Sequence, residues 1–337
     1  MPIRQQDRPP TAVVAIGGNS LAPARAGATP GVSPSAAAES PLRETCEAIA
    51  AVMAAGYRTV VTHGNGPQVG EALLRSELAA GQVAPLPLDV CVAETQASIG
   101  YLLQQTLQET FERHGLRRPV VTIVTQVLVS ARDPAMRNPT KPVGRFYSRE
   151  EAARHAAAHR WQMVEDAHRG WRRVVPSPQP KEIIELPAIQ AALANDVLVI
   201  ACGGGGVPVV FRRERLVGIE AVIDKDRASS LLAWELEADL FLISTAVDQV
   251  ALHYGTPEQQ NLDWLSAEEA RRYLAEGHFP PGSMGPKIEA ALAYLERGGK
   301  LVIITSPERI PEALQGMAGT RLTLTRQPAA GVSHQAA

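Results

Sequence analysis

Thr11-Ala12-Val13-Val14-Ala15-Ile16-Gly17-Gly18-Asn19 is a short apolar run closed by two glycines and an asparagine. The run does not alternate polar with apolar side chains, which marks a strand buried on both faces. The same grammar returns twice. Residues 58–62 lead into His63-Gly64-Asn65-Gly66, and residues 197–201 lead into Cys202 and the four glycines Gly203, Gly204, Gly205 and Gly206. Further β-type runs lie at 120–129, 240–245 and 301–305, and helical patterns fall at 42–55, 68–80, 89–113, 226–236 and 284–297. Strands alternating with helices predict an α/β fold, a three-layer αβα sandwich around a largely parallel central sheet.

Three stretches break this rhythm. Residues 22–40 are rich in Ala, Pro, Gly and Ser directly after the first glycine turn, and read either as a flexible loop over a site or as an idle insertion. Residues 130–180 carry many Pro and Arg residues and no long strand pattern, as expected of a small excursion from the sheet. The last dozen residues, 326–337, read as a frayed, disordered tail.

A net charge of −2 leaves no basic field to attract nucleic acid or an anionic membrane surface, so neither partner is expected. No stretch approaches the roughly 18 apolar residues of a membrane span, and the apolar run near the N-terminus is too short for a signal peptide. Cys46, Cys91 and Cys202 are far apart and form no Cys-x-x-Cys pair. They read as small buried hydrophobes in a reducing compartment, which predicts a cytoplasmic location and no protein-held metal.

Parallel sheets bind ligands beyond the carboxyl ends of their strands, and the three glycine turns fall at such ends. Glycine lets backbone N–H groups approach an oxyanion closely. One such turn is equally well a tight connection; three in one chain point to an anionic ligand. The phosphate-loop pattern is absent, and the turns lack the dinucleotide fingerprint and its acidic partner, so an oxidoreductase is a weak alternative.

Of the 33 Lys and Arg residues only Lys141, Lys181, Lys225, Lys287 and Lys300 are lysine. Against that arginine bias a retained lysine is a candidate for a place needing a compact point charge rather than a planar fork. Lys225 and Lys287 fall near predicted helix starts, where the helix dipole disfavours them, so helix stability does not explain them. Phosphoryl transfer does, because it needs positive charge around the migrating group. Asp226 can keep neighbouring lysines charged and aimed, with a surface salt bridge as the lesser alternative. Lys141 lies between Pro139 and Pro142, in what reads as a stiff loop holding a charge over a cleft. His155 and His159 read as a solvated helix face, and Trp161, Trp171, Trp234 and Trp264 as packing residues.

Several of these segments together resemble the carbamate kinases of the amino acid kinase family. They are Ala15 to Asn19, Thr62 to Gly70, Pro87 to Gln96, Asn138 to Gly144, Arg173 to Lys181, Gly203 to Pro208, Val222 to Asp226 and Glu276 to Lys287. The resemblance runs in order from about residue 12 to 322. It implies an eight-stranded sheet, a single domain over 1–337 with a protruding subdomain near 130–178, and a homodimer. It also implies reversible transfer between ATP and carbamate giving ADP and carbamoyl phosphate, with Mg²⁺ on the nucleotide and ATP formation as the working direction. By position, Gly17, Gly18 and Asn19 would bind the phosphoryl group, and Gly64 and Asn65 the carbamate side. Lys225 and Lys287 would neutralise charge, Asp226 would orient both, and Lys141 would close the site. The alternatives are a kinase of the same fold for another small acceptor and a silent, ligand-sensing paralogue.

One segment departs from the family pattern. Where Thr-Asp-Val-Asp-Gly is usual on the nucleotide side, this chain has Thr245-Ala246-Val247-Asp248-Gln249. The departure resembles a divergent branch associated with breakdown of nitrogen compounds other than arginine, purines included.

Overall fold

The structure, a computed structural model, describes residues 8–21, 34–166 and 169–325, without the side chains of residues 19, 20 and 34–40. The first half runs β1 (Thr11–Ile16), α1 (Pro34–Ala54), β2 (Arg58–His63), α2 (Gly66–Ala79), α3 (Leu88–Arg113), β3 (Val120–Thr122) and β4 (Gln126–Val129). Then come β5 (Lys141–Tyr147), α4 (Arg149–His159), β6 (Gln162–Glu165), β7 (Trp171–Val175), β8 (Pro180–Ile183), α5 (Leu186–Ala194), β9 (Leu198–Ile200), β10 (Val207–Arg212) and β11 (Arg215–Gly218). The remainder runs α6 (Lys225–Glu235), β12 (Leu240–Ser244), β13 (Val250–Leu252), β14 (Gln260–Leu262), β15 (Trp264–Ser266) and α7 (Ala267–Ala275). It closes with α8 (Met284–Glu296), β16 (Val302–Thr305), α9 (Ile310–Leu314) and β17 (Thr320–Thr323).

The central sheet has eight strands in the order β15-β17-β16-β12-β1-β2-β9-β3, and the six from β16 to β3 run parallel. β1 lies between β2 and β12, both parallel to it, and every residue of β1 is buried. Its side chains divide by alternation: Val13 and Ala15 enter one core with Phe241 and Ile243, whereas Ala12, Val14 and Ile16 enter the other with Leu240 and Leu242. That is why the sequence reads as continuously apolar: each face of the sheet carries its own helix layer. The chain builds away from β1 toward β2 first and returns later to β12 on the other side. The strand order therefore reverses at β1, which opens a crevice at its carboxyl end.

Three expectations change. The run at 120–129 is two strands, β3 at the edge of the main sheet and β4 in a separate four-stranded sheet, β11-β10-β4-β8. Helix α1 begins at Pro34, so the end of the expected 22–40 loop is helical backbone, and its first part, 22–33, lies outside the described residues, as does the 326–337 tail. The excursion does hold a sizeable strand, the seven-residue β5, within a three-stranded antiparallel sheet β5-β7-β6 that α4 accompanies. Lys141 therefore opens a strand, paired with Val175, rather than standing in a proline-stiffened loop.

This small sheet is held against α2. Tyr147 donates to Glu77 Oε1 at 2.7 Å, the Arg145 guanidinium covers the Tyr147 ring at 4.4 Å, and Gly70 packs next to the Gly144 backbone, 3.6 Å from where a Gly70 Cβ would be. His155 is half-buried in a stack with Trp161, with ring centroids 5.1 Å apart, so only His159 fits the solvated-face expectation. Trp234 is 42% exposed beneath Arg297, a cation–π contact rather than core packing.

Candidate functional site

Two of the glycine turns touch. The turn after β1 and the turn after β2 come so close that a Cβ on Gly64 would lie 2.7 Å from the Gly18 backbone nitrogen. Glycine is required at Gly64 and a Cβ at Gly18 would be tight, 3.2 Å from the Gly64 carbonyl carbon; together the turns form a backbone shelf at the carboxyl ends of adjacent parallel strands. The Asn19 backbone lies in the 3-10 turn Gly18–Leu21 that follows; its side chain is outside the described residues.

Asn65 is the N-cap of α2, yet its side chain makes no capping hydrogen bond. Its Nδ2 donates instead to Thr95 Oγ1 on α3, at 2.9 Å. A helix start whose cap is diverted keeps amide N–H groups available to an anion. The tetraglycine turn after β9 walls this side. A Cβ on Gly204 would sit 2.2 Å from Asn65 Nδ2, and Gly204 has φ +64°, a left-handed conformation that glycine adopts without strain.

The lysines gather around the first turn of α6. Asp224 is the N-cap of α6, its Oδ1 accepting from the N–H of Asp226 at 3.0 Å and of Arg227 at 3.4 Å. That cap places Lys225 and Asp226 in the first turn of the helix. Lys225 Nζ lies 2.8 Å from Asp226 Oδ1, and Lys287 Nζ, from α8, lies 3.0 Å from Asp226 Oδ2. The Lys225 contact lacks hydrogen-bond geometry, so among the described residues that ammonium has no hydrogen-bond partner despite full burial of its nitrogen. Ser229 Oγ donates to the Lys225 carbonyl at 2.7 Å and meets Thr62 Oγ1 at 2.6 Å, which ties this turn to the end of β2. Lys141 Nζ reaches in from β5 to donate to Asp224 Oδ2 at 2.7 Å.

Burial alone would raise the Asp226 pKa, but Lys225 and Lys287 overcome it and hold the carboxyl down at about 2. Burial lowers the pKa of Lys225, Asp226 opposes that shift, and Lys287 adds to it. The trio carries one net positive charge in a buried position, with two ammonium groups held apart by one carboxylate. Such a site favours a polyanion over a bare cation. Among the described residues no three His, Cys, Asp or Glu side chains are grouped to hold a metal ion.

The structure thus brings Gly17, Gly18, Gly64, Asn65, Lys141, Lys225, Asp226 and Lys287 to one end of the sheet. Lys181 is exposed on β8, and Lys300 pairs with Asp239 where the strand preceding it begins. Sequence reasoning missed Thr95, which holds the Asn65 amide, and Asp224, which pairs with Lys141. Thr95 carried a signal: it falls four residues after Cys91 and four before Ile99, and with Gln96 it puts polar groups on a mostly apolar helix face.

The sequence profile of the Amino acid kinase family matches residues 10–306. The chain belongs to that family, among its carbamate kinases. A carbamate kinase from Pyrococcus furiosus is 48% identical over 285 residues, covering 83% of this chain and 90% of the relative. The carbamate kinase-like protein YahI of Escherichia coli is also 48% identical, over 93% of this chain and 98% of its own length. Among solved structures, carbamate kinase from Giardia lamblia bound to AMP-PNP superposes with a TM-score of 0.86 at 40% identity, over 94% of this chain and 98% of that one. The three-layer sandwich is thus the amino acid kinase fold.

Proposed function

We propose that the chain is an enzyme that transfers a phosphoryl group reversibly between carbamoyl phosphate and ADP, giving carbamate and ATP. The observation that carries this reading is the Lys225–Asp226–Lys287 cluster, with contacts of 2.8 and 3.0 Å, on a helix turn that Ser229 ties through Thr62 to the end of β2, where two glycine turns abut. Phosphoryl transfer needs in-line placement and charge neutralisation more than covalent help, and this site supplies both.

The N–H groups of the Gly17, Gly18 and Asn19 turn hold the phosphoryl oxygens, and Gly64 and Asn65 at the start of α2 hold the carbamate side. Lys225 and Lys287 neutralise the oxygens that gain charge in the transition state, and Asp226 keeps both lysines charged and apart. Lys141 closes over the site from the small antiparallel sheet. The nucleotide lies beyond the carboxyl end of β12, along Thr245 to Gln249. Mg²⁺ comes with ADP or ATP as part of the substrate, held by phosphate oxygens and water as this ion prefers. The cationic character of the site suits a metal delivered on a polyanion.

The chain acts as one unit over 1–337, with 130–178 as its protruding subdomain, and serves nitrogen-compound breakdown in the cytoplasm by forming ATP. The cytoplasmic assignment is supported by three cysteines that are all free and buried. A homodimer is supported by apolar side chains left open on α3 and beside edge strand β3: Tyr101 at 62%, Leu102 at 45% and Val124 at 45% exposure. The test is a coupled assay for ATP from carbamoyl phosphate and Mg-ADP, with acetyl phosphate as decoy. Carbamoyl phosphate should be strongly preferred; ligand-induced thermal stabilisation without turnover would instead identify a sensing paralogue.

A further inference from the structure

His63 ends β2 at the floor of the site, 1% exposed, and none of the roles above uses it. Its Nδ1 lies 3.1 Å from the carbonyl oxygen of Gly64. A carbonyl only accepts, so this contact is a hydrogen bond only if the proton is on Nδ1. On the far side of the ring, Gly203 of the tetraglycine turn approaches so closely that a Cβ there would stand 2.4 Å from Nε2. The ring is thus clamped between the peptide it bonds and a backbone that only glycine can bring so near. Burial drives the imidazole pKa down to about 4 against the pull of the Gly64 carbonyl, and the facing Lys225 ammonium lowers it further, so the ring is neutral.

The Gly64–Asn65 peptide is trans and planar, which sets its C=O and N–H in opposite directions. A carbonyl drawn toward the His63 ring therefore turns the Asn65 N–H away from it. Gly18 abuts this peptide as a whole: a Cβ there would lie 3.2 Å from the Gly64 carbonyl carbon, 3.4 Å from the Asn65 nitrogen and 3.5 Å from the Gly64 oxygen. That is the shelf on which the reacting anion is proposed to sit. Thr95 fixes the Asn65 side chain, but a hydrogen bond at the amide end of that side chain leaves the preceding peptide free to rotate.

We propose that His63, as its neutral Nδ1–H tautomer, is a positioning residue that locks the Gly64–Asn65 peptide with its N–H aimed at the carbamate end of the substrate. The proposal rests on the phosphoryl-transfer reading for its kinetic consequence, but not for the tautomer itself.

Replacement variants separate position from packing. Asn carries its amide nitrogen where Nδ1 stands, whereas Gln reaches only toward the place of Nε2. His63→Asn should keep kcat/KM for carbamoyl phosphate within about threefold. His63→Gln and His63→Leu should lose on the order of 10- to 100-fold, the size expected when a reacting group is slightly misplaced, while KM for Mg-ADP stays within about twofold. Gly203→Ala should impair the wild type but add little in the His63→Asn background, which has vacated the space its Cβ needs. Thermal melts of each variant establish that folded proteins are compared. Equal losses for Asn and Gln, or a Leu variant with wild-type kcat/KM, would overturn the proposal. Nitrogen-15 NMR of the wild-type ring reads the tautomer without any turnover. A proton on Nε2 rather than Nδ1 would overturn it even in a protein with no carbamate kinase activity, and an inactive wild type showing Nδ1–H would overturn only the reaction proposed above.

Discussion

Lys141 and Asp224, 83 residues apart in sequence, meet at 2.7 Å, and Asp224 makes this contact with one carboxylate oxygen while the other caps α6. One side chain thus aligns the helix that presents Lys225 and Asp226 and anchors the lysine that arrives from the small antiparallel sheet. The two jobs are separable. Asn caps a helix about as well as Asp but cannot form the ion pair, and loss of the cap costs about 1 kcal/mol. The pair is partly exposed, with 37% of the Lys141 side chain open to solvent, so its own contribution to stability is small. Asp224→Asn should leave urea stability nearly unchanged, whereas Asp224→Ala should lose about 1 kcal/mol. Both should lower kcat/KM for carbamoyl phosphate, because Lys141 loses its anchor in each. Equal stability losses would mean that the ion pair, not the cap, is what the fold uses.

Lys225 and Lys287 should each be needed for turnover and neither for folding. Removing one preorganised transition-state donor costs on the order of 10²–10³ in kcat, about 3–4 kcal/mol. Lys225→Ala and Lys287→Ala are expected in that range, measured at saturating carbamoyl phosphate and Mg-ADP. Lys225→Arg should not rescue: only 12% of the Lys225 side chain is exposed, and a planar guanidinium needs a wider space than an ammonium. Wild-type turnover in either Ala variant would remove that lysine from the mechanism.

The pH dependence follows from the same trio, with opposite signs at its two ends. Asp226 titrates at about 2 in the fold, below the ordinary 3.8, so the unfolded chain takes up its proton first as pH falls. Its contribution is fully present above about pH 4 and is lost as pH drops toward 2. In Asp226→Asn that part of the pH dependence should vanish, so its stability deficit relative to wild type should shrink between pH 5 and pH 2. Lys225 is lowered from 10.5 by burial, so the folded chain loses this proton before the unfolded one does. Lys225 therefore adds stability as pH climbs toward 10.5, while activity that needs its ammonium declines. The alkaline limb of kcat/KM should fall below the ordinary lysine range, and Lys225→Ala should abolish that limb. An alkaline limb at 10.5 or above would contradict this assignment.

Much of this was legible in the sequence because the central strands are buried on both faces. A continuous run such as Val13 to Ile16 followed by glycine can hardly be anything else, and the strand order then places every such turn at one end of the sheet. What the sequence could not show were contacts made across the fold. The break between β3 and β4 lies inside one β-type run, Val120 to Val129, and arises where the chain leaves one sheet for another. Asp224 looked like one more acid in Asp224-Lys225-Asp226 until Lys141 arrived from 83 residues away. The tetraglycine turn drew attention as a phosphate cradle, yet its glycines are small because His63, Asn65 and the Ile223 carbonyl press against them.

The wall role of that turn is itself testable. Gly204→Ala places a methyl 2.2 Å from Asn65 Nδ2 and forces a left-handed alanine. The backbone strain alone costs about 1–2 kcal/mol, and the clash adds displacement of the amide that Thr95 holds. KM for carbamoyl phosphate should rise while KM for Mg-ADP stays within about twofold. Thr95→Val, which removes the acceptor for the Asn65 amide but keeps its shape, should show the same asymmetry in milder form. If ADP binding weakened equally in both variants, this side of the shelf would not be the carbamate side.

The departure from the family pattern at Gln249 predicts a brace rather than a damaged nucleotide site. Gln249 Nε2 donates to Asp263 Oδ1 at 2.6 Å and to the Gly319 carbonyl at 3.3 Å, joining the segment after β12 to the chain around β14 and β17. Asp248, which the family pattern keeps, accepts from Ser306 Oγ at 2.6 Å and so stays aligned at the carboxyl end of β12 and β16. Gln249→Gly removes these bonds and loosens the backbone, for a combined loss of about 1–2 kcal/mol. KM for Mg-ADP should nevertheless remain within about threefold, because the amide faces the protein rather than the cleft. Asp248→Ala should do the reverse, raising KM for Mg-ADP on the order of tenfold with a stability loss of about 1.5 kcal/mol, the low end for one hydrogen bond to a charged group. Both constants can be read from ATP formation at saturating carbamoyl phosphate. The opposite ranking, with Gln249→Gly the weaker ADP binder, would make Gln249 a nucleotide contact and Asp248 the brace.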